Sequence, residues 1–246
     1  MIPLAPTGWT LAQTESGRRF ARSLVEQLHA TLHDDAHVPR KGGALLVGNH
    51  AFMGVDSFAL AALLLVQTER LPRFLAERNL FRIPGVRDLL RSLGAIPGTP
   101  DDAVALLEAG EVVVVYPGGV YDSFKLSRDA YTLPWQGRAG YARVAMRAHV
   151  PIVPLAATGI DELYRVDRRE TLLGRWFGGS ARYDLPLPKD GLLPRRVPLD
   201  FHLLPPVDTT GDPRDADAVD RIRRATEDAI RSVLDPYRAR LSSSAL

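Results

Sequence analysis

A histidine and an aspartate six positions apart are the residues whose types and spacing point most directly to chemistry. His50 closes the segment Gly48-Asn49-His50, and Asp56 follows after a loop that contains Gly54. An imidazole titrates near pH 6.5 when unperturbed, which suits proton transfer near neutrality. A carboxylate on its second ring nitrogen fixes the tautomer and stabilises the imidazolium formed when the ring takes a proton. No serine or cysteine lies between the two, so the natural task of such a pair is to activate a hydroxyl brought by a substrate. A structural role stays open beside it. Asp56 stands where a helix N-cap would accept from first-turn amides, and His50 would then be a turn histidine without a task.

The second candidate is Pro117-Gly118-Gly119, directly after the run Glu111-Val-Val-Val-Val-Tyr116. Backbone N–H groups in such a turn can point into a crevice and stabilise an oxyanion. Paired glycines also serve as plain tight turns that need positive φ. Asp122 could accept a hydrogen bond from Arg138 and so order the loop over the site; alternatively both are surface residues that never meet.

The elements that must position these residues follow from hydrophobic periodicity. Thr10 to Asp35 reads as a helix with Phe20, Leu24, Leu28 and Leu32 on one stripe, broken by Pro39-Arg-Lys-Gly-Gly43. Ala44 to Val47 reads as a buried strand and Asp56 to Glu69 as an apolar helix. Phe74 to Ala76 and Gly94 to Pro97 are strands, separated by a short basic helix over Val86 to Ser92. Asp101 to Ala109 is helical. Glu111 to Tyr116 is a β-branched, continuous strand. Gly140 to His149 is a helix, Pro151 to Leu155 a strand, Val197 to Val207 a proline-rich strand pair or extended edge, and Asp215 to Arg240 an amphipathic helix. Alternating strands and helices predict a single α/β domain with a central, mostly parallel sheet flanked by helices. Ligands in such sheets gather outside the carboxyl ends of the strands. Both His50 and Pro117-Gly118-Gly119 sit there.

Composition bounds the rest. The chain has 246 residues, is 46% hydrophobic, and holds no cysteine; that excludes disulfides, thiolate metal sites and cysteine nucleophiles. The formal net charge is +2, carried almost wholly by arginine, which favours bidentate contact with phosphate. That charge is compatible with anionic lipid heads or a CoA-like donor and calls for no nucleic acid. The segment Met1 to Gln13 lacks a basic n-region and a continuous apolar h-region, so no signal peptide is expected. The longest apolar run, Phe58 to Val66, is far short of the ~20 residues of a membrane span. The expected location is the cytoplasm, with peripheral contact at the inner face of the membrane.

Four blocks in order then resemble the glycerolipid and lysophospholipid acyltransferase superfamily. Asn49, His50 and Asp56 match its first motif. Arg73-Phe-Leu-Ala76 with Leu80, Phe81 and Pro84 is similar to its second. Gly94-Ala-Ile-Pro-Gly98 and Tyr116-Pro-Gly-Gly119 are similar to its third, and Gly137-Arg138-Ala-Gly140 with Val150-Pro-Ile-Val-Pro154 to its fourth. The resemblance implies acyl transfer from an acyl-CoA or acyl-carrier-protein thioester to a lipid or alcohol hydroxyl. It needs no metal or organic cofactor beyond the acyl donor. It implies His50 and Asp56 as catalytic residues, with Asn49, Pro117, Gly118, Gly119, Asp122 and Arg138 around substrate and oxyanion. Residues 44–246 would form the acyltransferase-like α/β domain and 1–43 an N-terminal helical segment, as one structural unit.

Two features depart from the family pattern. Five residues rather than four separate His50 from Asp56, as in the branch resembling diacylglycerol acyltransferases. Pro-Gly-Gly also replaces the Pro-Glu-Gly-Thr-Arg of the phosphate-acceptor branch, and Gly94 to Pro100 contains no arginine. Charge-assisted contacts to phosphate are worth about 1.5–3 kcal/mol each, so their loss favours an acceptor with an uncharged head. The alternatives are a lysophosphatidate-type enzyme gripping phosphate with Arg128, Arg138 or Arg143, a thioesterase using water, and a non-catalytic lipid-binding homologue.

Other residues read as structural. Arg78, Arg82, Arg87 and Arg91 form a basic strip that fits a solvated helix face, with CoA phosphates or a membrane as the functional alternative. His29, His33 and His37 beside Asp34 and Asp35 fit a solvated helix end rather than a metal site. His149 ends a helix and complements its dipole; His202 fits a half-buried strand residue. The helix Asp56 to Val66 fits core packing as well as an acyl-chain tunnel, and Trp9, Leu11 and Phe20 fit core docking as well as contact with a bilayer.

Overall fold

The computed structural model describes residues 14–76, 81, 82, 85, 87, 88, 90, 94–170 and 185–244. Helix α1 (Glu15–Gln27) opens at Thr14, whose hydroxyl accepts from the Gly17 amide at 3.1 Å. It ends well before Asp35. His29 takes φ +47°, the chain reverses, and Ala30–His33 forms strand β1 with alternating burial. The sequence stripe broke for a physical reason. Ala21, Leu24, Val25 and Leu28 make the packed face of the helix, Phe20 points to solvent at 70% exposure, and Leu32 is buried from a strand at period two.

Strand β2 (Ala44–Gly48) is wholly buried and leads to helix α2 (Val55–Thr68). Strands β3 (Arg73–Ala76) and β4 (Ala95–Pro97) follow, then helix α3 (Pro100–Glu108), capped by the Thr99 hydroxyl. Of the helix expected over Val86 to Ser92, only Arg87, Asp88 and Leu90 are described. Strand β5 (Val112–Val115), the one-turn helix α4 (Val120–Ser123), helix α5 (Gly140–Ala148) and strand β6 (Ile152–Thr158) complete the central unit. Strands β7 (Val166–Glu170) and β8 (Leu185–Pro188) make a separate antiparallel pair. Strand β9 (Leu199–Leu203) and helix α6 (Ala216–Ser244) close the described chain.

The seven-stranded sheet has the order β1-β9-β6-β2-β5-β3-β4. The five strands β6, β2, β5, β3 and β4 run parallel; β9 turns antiparallel to β6 and carries β1 parallel to itself. The region expected as a strand pair or edge near residues 197–207 is therefore one strand inside the sheet, with Val207 bridging back to Ile152. Its alternation of buried Leu199, Phe201 and Leu203 with half-buried Asp200 and His202 outweighed the flanking prolines.

Alternating side chains send each strand into two cores. Leu46, Val112 and Val114 meet Ala59, Leu60, Leu63 and Leu64 of α2 on one face. Leu45, Val47 and Val113 meet α3, α5 and α6 on the other. The leucines of α2 thus fill the core. Burying each stabilises the fold by about 1.5–3 kcal/mol, and the seam between α2 and the sheet fixes where Asp56 sits. Among the described residues, no helix is long and apolar enough to cross a membrane.

Candidate active site

Strands β2 and β5 are adjacent and parallel, with Val47 beside Val115. Their carboxyl ends therefore deliver His50 and the Pro117-Gly118-Gly119 turn to one edge of the sheet. After His50 the chain makes a 3-10 turn over Phe52–Gly54, and Gly54 at φ +68° feeds directly into α2. That turn takes up the fifth intervening residue. The His50 Nδ1 lies 2.8 Å from the Asp56 Oδ2, with the two side chains 17% and 1% exposed. The ring's Nε2 has no partner among the described residues.

Asp56 lies inside the first turn of α2, after Gly54 at the cap position, and makes no capping bond. Its Oδ1 is buried without a hydrogen bond. The acid group is thus committed to the histidine, at the end of a helix where the dipole favours an anion. The Tyr116 ring stacks flat on the imidazole, with centroids 4.0 Å apart at an interplanar angle of 9°. Its hydroxyl accepts from Ser57 Oγ at 3.2 Å. Burial pushes the phenol well above its usual range, and the neighbouring Asp56 charge adds to the shift. Tyr116 is therefore a neutral, rigid wall against which the imidazole can move little.

The turn after β5 is tighter than its sequence suggested. A Cβ on Gly118 would overlap the Asp122 carboxylate, and Gly119 holds φ +53°. The Gly119 amide donates to the Tyr116 carbonyl at 2.9 Å and is spent within the turn. The Gly118 amide makes no hydrogen bond among the described residues.

Arg138 does not meet Asp122. Its Nη1 donates to the carbonyls of Pro117 and Gly118 at 3.0 and 3.2 Å, and its guanidinium lies over the Tyr121 ring. Arg138 thus braces the turn from outside, while Asp122 is fully buried beneath it and accepts from the Trp135 indole at 2.9 Å. Asn49, expected near substrate, uses its side-chain amide at both ends on Ala157, donating to its carbonyl and accepting from its N–H at 2.9 Å each. It clamps β2 to β6. The other arginines considered for phosphate, Arg128 and Arg143, are exposed, on a loop turn and on the outer side of α5. Trp9, Leu11, Arg78, Leu80, Pro84 and Arg91 lie outside the described residues.

Beneath the turn lies a buried cluster that the sequence did not reveal. Lys125 is 8% exposed. Its ammonium sits 2.9 Å from Asp161 Oδ2 and 3.8 Å from Asp122 Oδ1, and donates to the His50 carbonyl at 3.4 Å. Asp161 also accepts from the Tyr131 amide at 2.7 Å. Desolvation alone would lower the Lys125 pKa, but the two carboxylates win and raise it. Burial pushes Asp122 up to about 6, with Lys125 and Trp135 opposing. Burial likewise raises Asp161, against Lys125. Lys125 and Asp161 line a small pocket with Phe52, Ser127, Tyr164 and Val166. A lone lysine and an aspartate 36 positions apart carry no spacing signal; only the sheet brings them together.

The remaining histidines are elsewhere. His33 and His202 stack on neighbouring strands β1 and β9, and His33 meets Asp200. His37 bonds to the Leu203 carbonyl through Nδ1, while His149 takes φ +52° at the end of α5. Arg82 is exposed and Arg87 pairs with its neighbour Asp88.

Known proteins resemble this chain over much of its length. A protein of Bos taurus described as a DGAT1/2-independent enzyme synthesizing storage lipids is 30% identical over 209 residues, covering 84% of this chain and 59% of that protein. An uncharacterised protein of Mycobacterium tuberculosis is 35% identical over 147 residues, covering 58% of this chain and 40% of its own length. The chain thus spans well under two thirds of these relatives. Among solved structures, a 1-acyl-sn-glycerophosphate acyltransferase of Thermotoga maritima is similar at a TM-score of 0.48 and 16% identity, over 89% of this chain and 82% of that one. The family model described as Acyltransferase matches residues 29–158, more than half of the chain and the whole stretch from β1 through His50, Asp56 and the glycine turn to β6; the chain belongs to the acyltransferase family.

Proposed function

We propose that the protein transfers a fatty acyl group from an acyl-CoA or acyl-carrier-protein thioester to the hydroxyl of a lipid or alcohol with an uncharged head group. The observation that carries this reading is the 2.8 Å contact from His50 Nδ1 to a buried Asp56, which leaves Nε2 as the basic atom. In the reaction, Nε2 takes the acceptor's hydroxyl proton as its oxygen attacks the thioester carbonyl. Asp56 holds the ring and balances the imidazolium. The tetrahedral oxyanion takes the Gly118 amide as donor. The carbon–sulfur bond then breaks, and the imidazolium returns its proton to the leaving thiolate. No metal or organic cofactor takes part beyond the acyl donor.

The uncharged acceptor rests on the chemistry of the turn. The phosphate-acceptor pattern places arginine there, whereas this chain has two glycines and turns its nearest arginine, Arg138, onto backbone carbonyls. The relatives named for the synthesis of storage lipids support a lipid acceptor. The test is acyl transfer by purified protein to diacylglycerol, monoacylglycerol, a long-chain alcohol and lysophosphatidate, with thiol release read in each. Neutral acceptors should exceed lysophosphatidate by about tenfold, the scale of one lost charge-assisted contact. Preference for lysophosphatidate would overturn the acceptor assignment; undiminished thiol release without any acceptor would make the protein a thioesterase.

A further inference from the structure

Two leucines are placed where a folded chain gains nothing from them. Leu192 and Leu193 are 70% and 85% exposed, whereas the leucines of β2, β6, β9 and α2 are almost wholly buried. They lie after β8, between Lys189-Asp190-Gly191 and Pro194-Arg195-Arg196. The segment is held firmly. The Leu192 carbonyl accepts from the Tyr164 hydroxyl at 3.3 Å. The Arg195 amide donates to the Leu163 carbonyl at 2.8 Å, and the Lys189 amide to the Arg165 carbonyl at 2.7 Å. Tyr164 and Val166 line the same small pocket as Lys125 and Asp161. These bonds seat the leucine pair at the pocket's rim, just beyond the carboxyl end of β6.

Charge around the pair is one-sided. Arg165, Arg168, Lys189, Arg195 and Arg196 are exposed there, against exposed Asp167 and Asp190; Lys189 lies 3.9 Å from Asp167, and half-buried Glu162 faces Arg195. Apolar side chains at a tip ringed by cations match the two layers of a bilayer surface, hydrocarbon beneath anionic headgroups. A soluble acidic protein would meet the cations but leave the leucines half-wet.

We infer that the Leu192–Leu193 turn is a membrane-docking wedge for an anionic bilayer, setting the pocket mouth against the lipid. Its purpose rests on the proposed lipid acceptor, but its test does not. The chain has no cysteine, so Leu193→Cys carrying an environment-sensitive fluorophore reports on this one position, with Ser232→Cys on the exposed side of α6 as the control. Vesicles of phosphatidylcholine with phosphatidylglycerol should shift the Leu193→Cys emission to the blue and leave the control unmoved. Leu192→Ser with Leu193→Ser should weaken cosedimentation with these vesicles by about tenfold or more, from the lost apolar contact. Arg195→Glu with Arg196→Glu should abolish the preference for anionic over pure phosphatidylcholine vesicles.

Unchanged vesicle binding by the double serine variant, or an unshifted fluorophore on vesicle-bound protein, overturns the wedge. So does a wild-type protein that ignores vesicles but retains an acidic carrier protein through this turn. His50→Ala should bind vesicles like the wild type, so failure of the acyl-transfer reading and failure of the wedge give different results.

Discussion

Two histidine–aspartate pairs in this molecule share one separation. His50 and Asp56 meet at 2.8 Å, as do His33 and Asp200. Distance does not distinguish them; surroundings do. The first pair has side chains 17% and 1% exposed, a tyrosine stacked on the imidazole, and a place at the carboxyl ends of parallel strands. The second has side chains 40% and 39% exposed and bridges neighbouring strands β1 and β9, with His202 stacked against it. A charge in the first environment is felt strongly because little water screens it; in the second, water competes for every contact. On the proposed function, a working dyad is marked by burial of the acid and freedom of the outer nitrogen, and contact alone does not make one.

The sharpest way to break this contrast is to remove each imidazole. His50→Ala should lower acyl transfer by about 10²–10⁴, the usual worth of a general base, with circular dichroism and melting near those of the wild type. His33→Ala should stay within about twofold in the same thiol-release assay. Equal losses would mean that the crevice pair has no special standing. Asp56→Asn keeps the shape but removes the charge that holds the ring and balances its proton, so a loss of about 10² or more is expected.

The buried lysine gives the next largest effect, and it acts on stability. Lys125→Met leaves Asp122 and Asp161 facing each other without their cation. Removing one partner of a buried pair costs about 3–5 kcal/mol, which urea denaturation would read directly. Breaking the exposed Arg147–Asp101 pair, with side chains 42% and 85% exposed, by Arg147→Met should cost under about 1 kcal/mol. A similar cost at both sites would show that the floor beneath His50 is wetter than its burial indicates.

Much of this arrangement was legible beforehand, for reasons that particular residues make plain. The valine run of β5 and the apolar β2 announced strands that could only be interior, and their endings put His50 and Gly118 at one edge. Local pattern failed at Leu32, which satisfies a helical stripe and a strand alternation equally well. It failed also for the β7–β8 pair, where Asp167-Arg168-Arg169-Glu170 and two prolines hide the strands. The wall and floor of the site were illegible for another reason. Tyr116 reads as the end of a strand, and Lys125, Trp135 and Asp161 carry no spacing signal, because their contacts span long stretches of chain. The expected Asp122–Arg138 bond was wrong because burial sorted the two, sending the neutralisable acid inward and the permanent cation to backbone carbonyls.

Asp122 sharpens the comparison through pH. Its folded pKa is raised to about 6 from 3.8, so the folded protein holds this proton more tightly than the unfolded chain. The stabilisation is full below about pH 4, falls as pH rises, and is gone once the folded group ionises above about pH 6. The span is worth about 2–3 kcal/mol. Asp122→Asn, which keeps the acceptor for Trp135, should flatten that decline in a series of unfolding curves from pH 4 to 7. A parallel decline in wild type and variant would place the titration elsewhere.

The smallest effect belongs to the pair that only looks catalytic. Asp200→Asn keeps an oxygen within reach of His33 and changes one charge that is well exposed to water. Exposed ion pairs are typically worth 0–1 kcal/mol, so the loss in unfolding free energy should be under about 1 kcal/mol. That small loss should shrink further as salt is raised, because screening removes what little attraction the pair has. Acyl transfer should be unaffected, since β6 stands between β2, which leads to His50, and the strands β9 and β1 that carry the pair. A large, salt-independent loss would mean that the stacked His33 and His202 exclude water from Asp200. The two pairs would then differ by position in the sheet and not by screening.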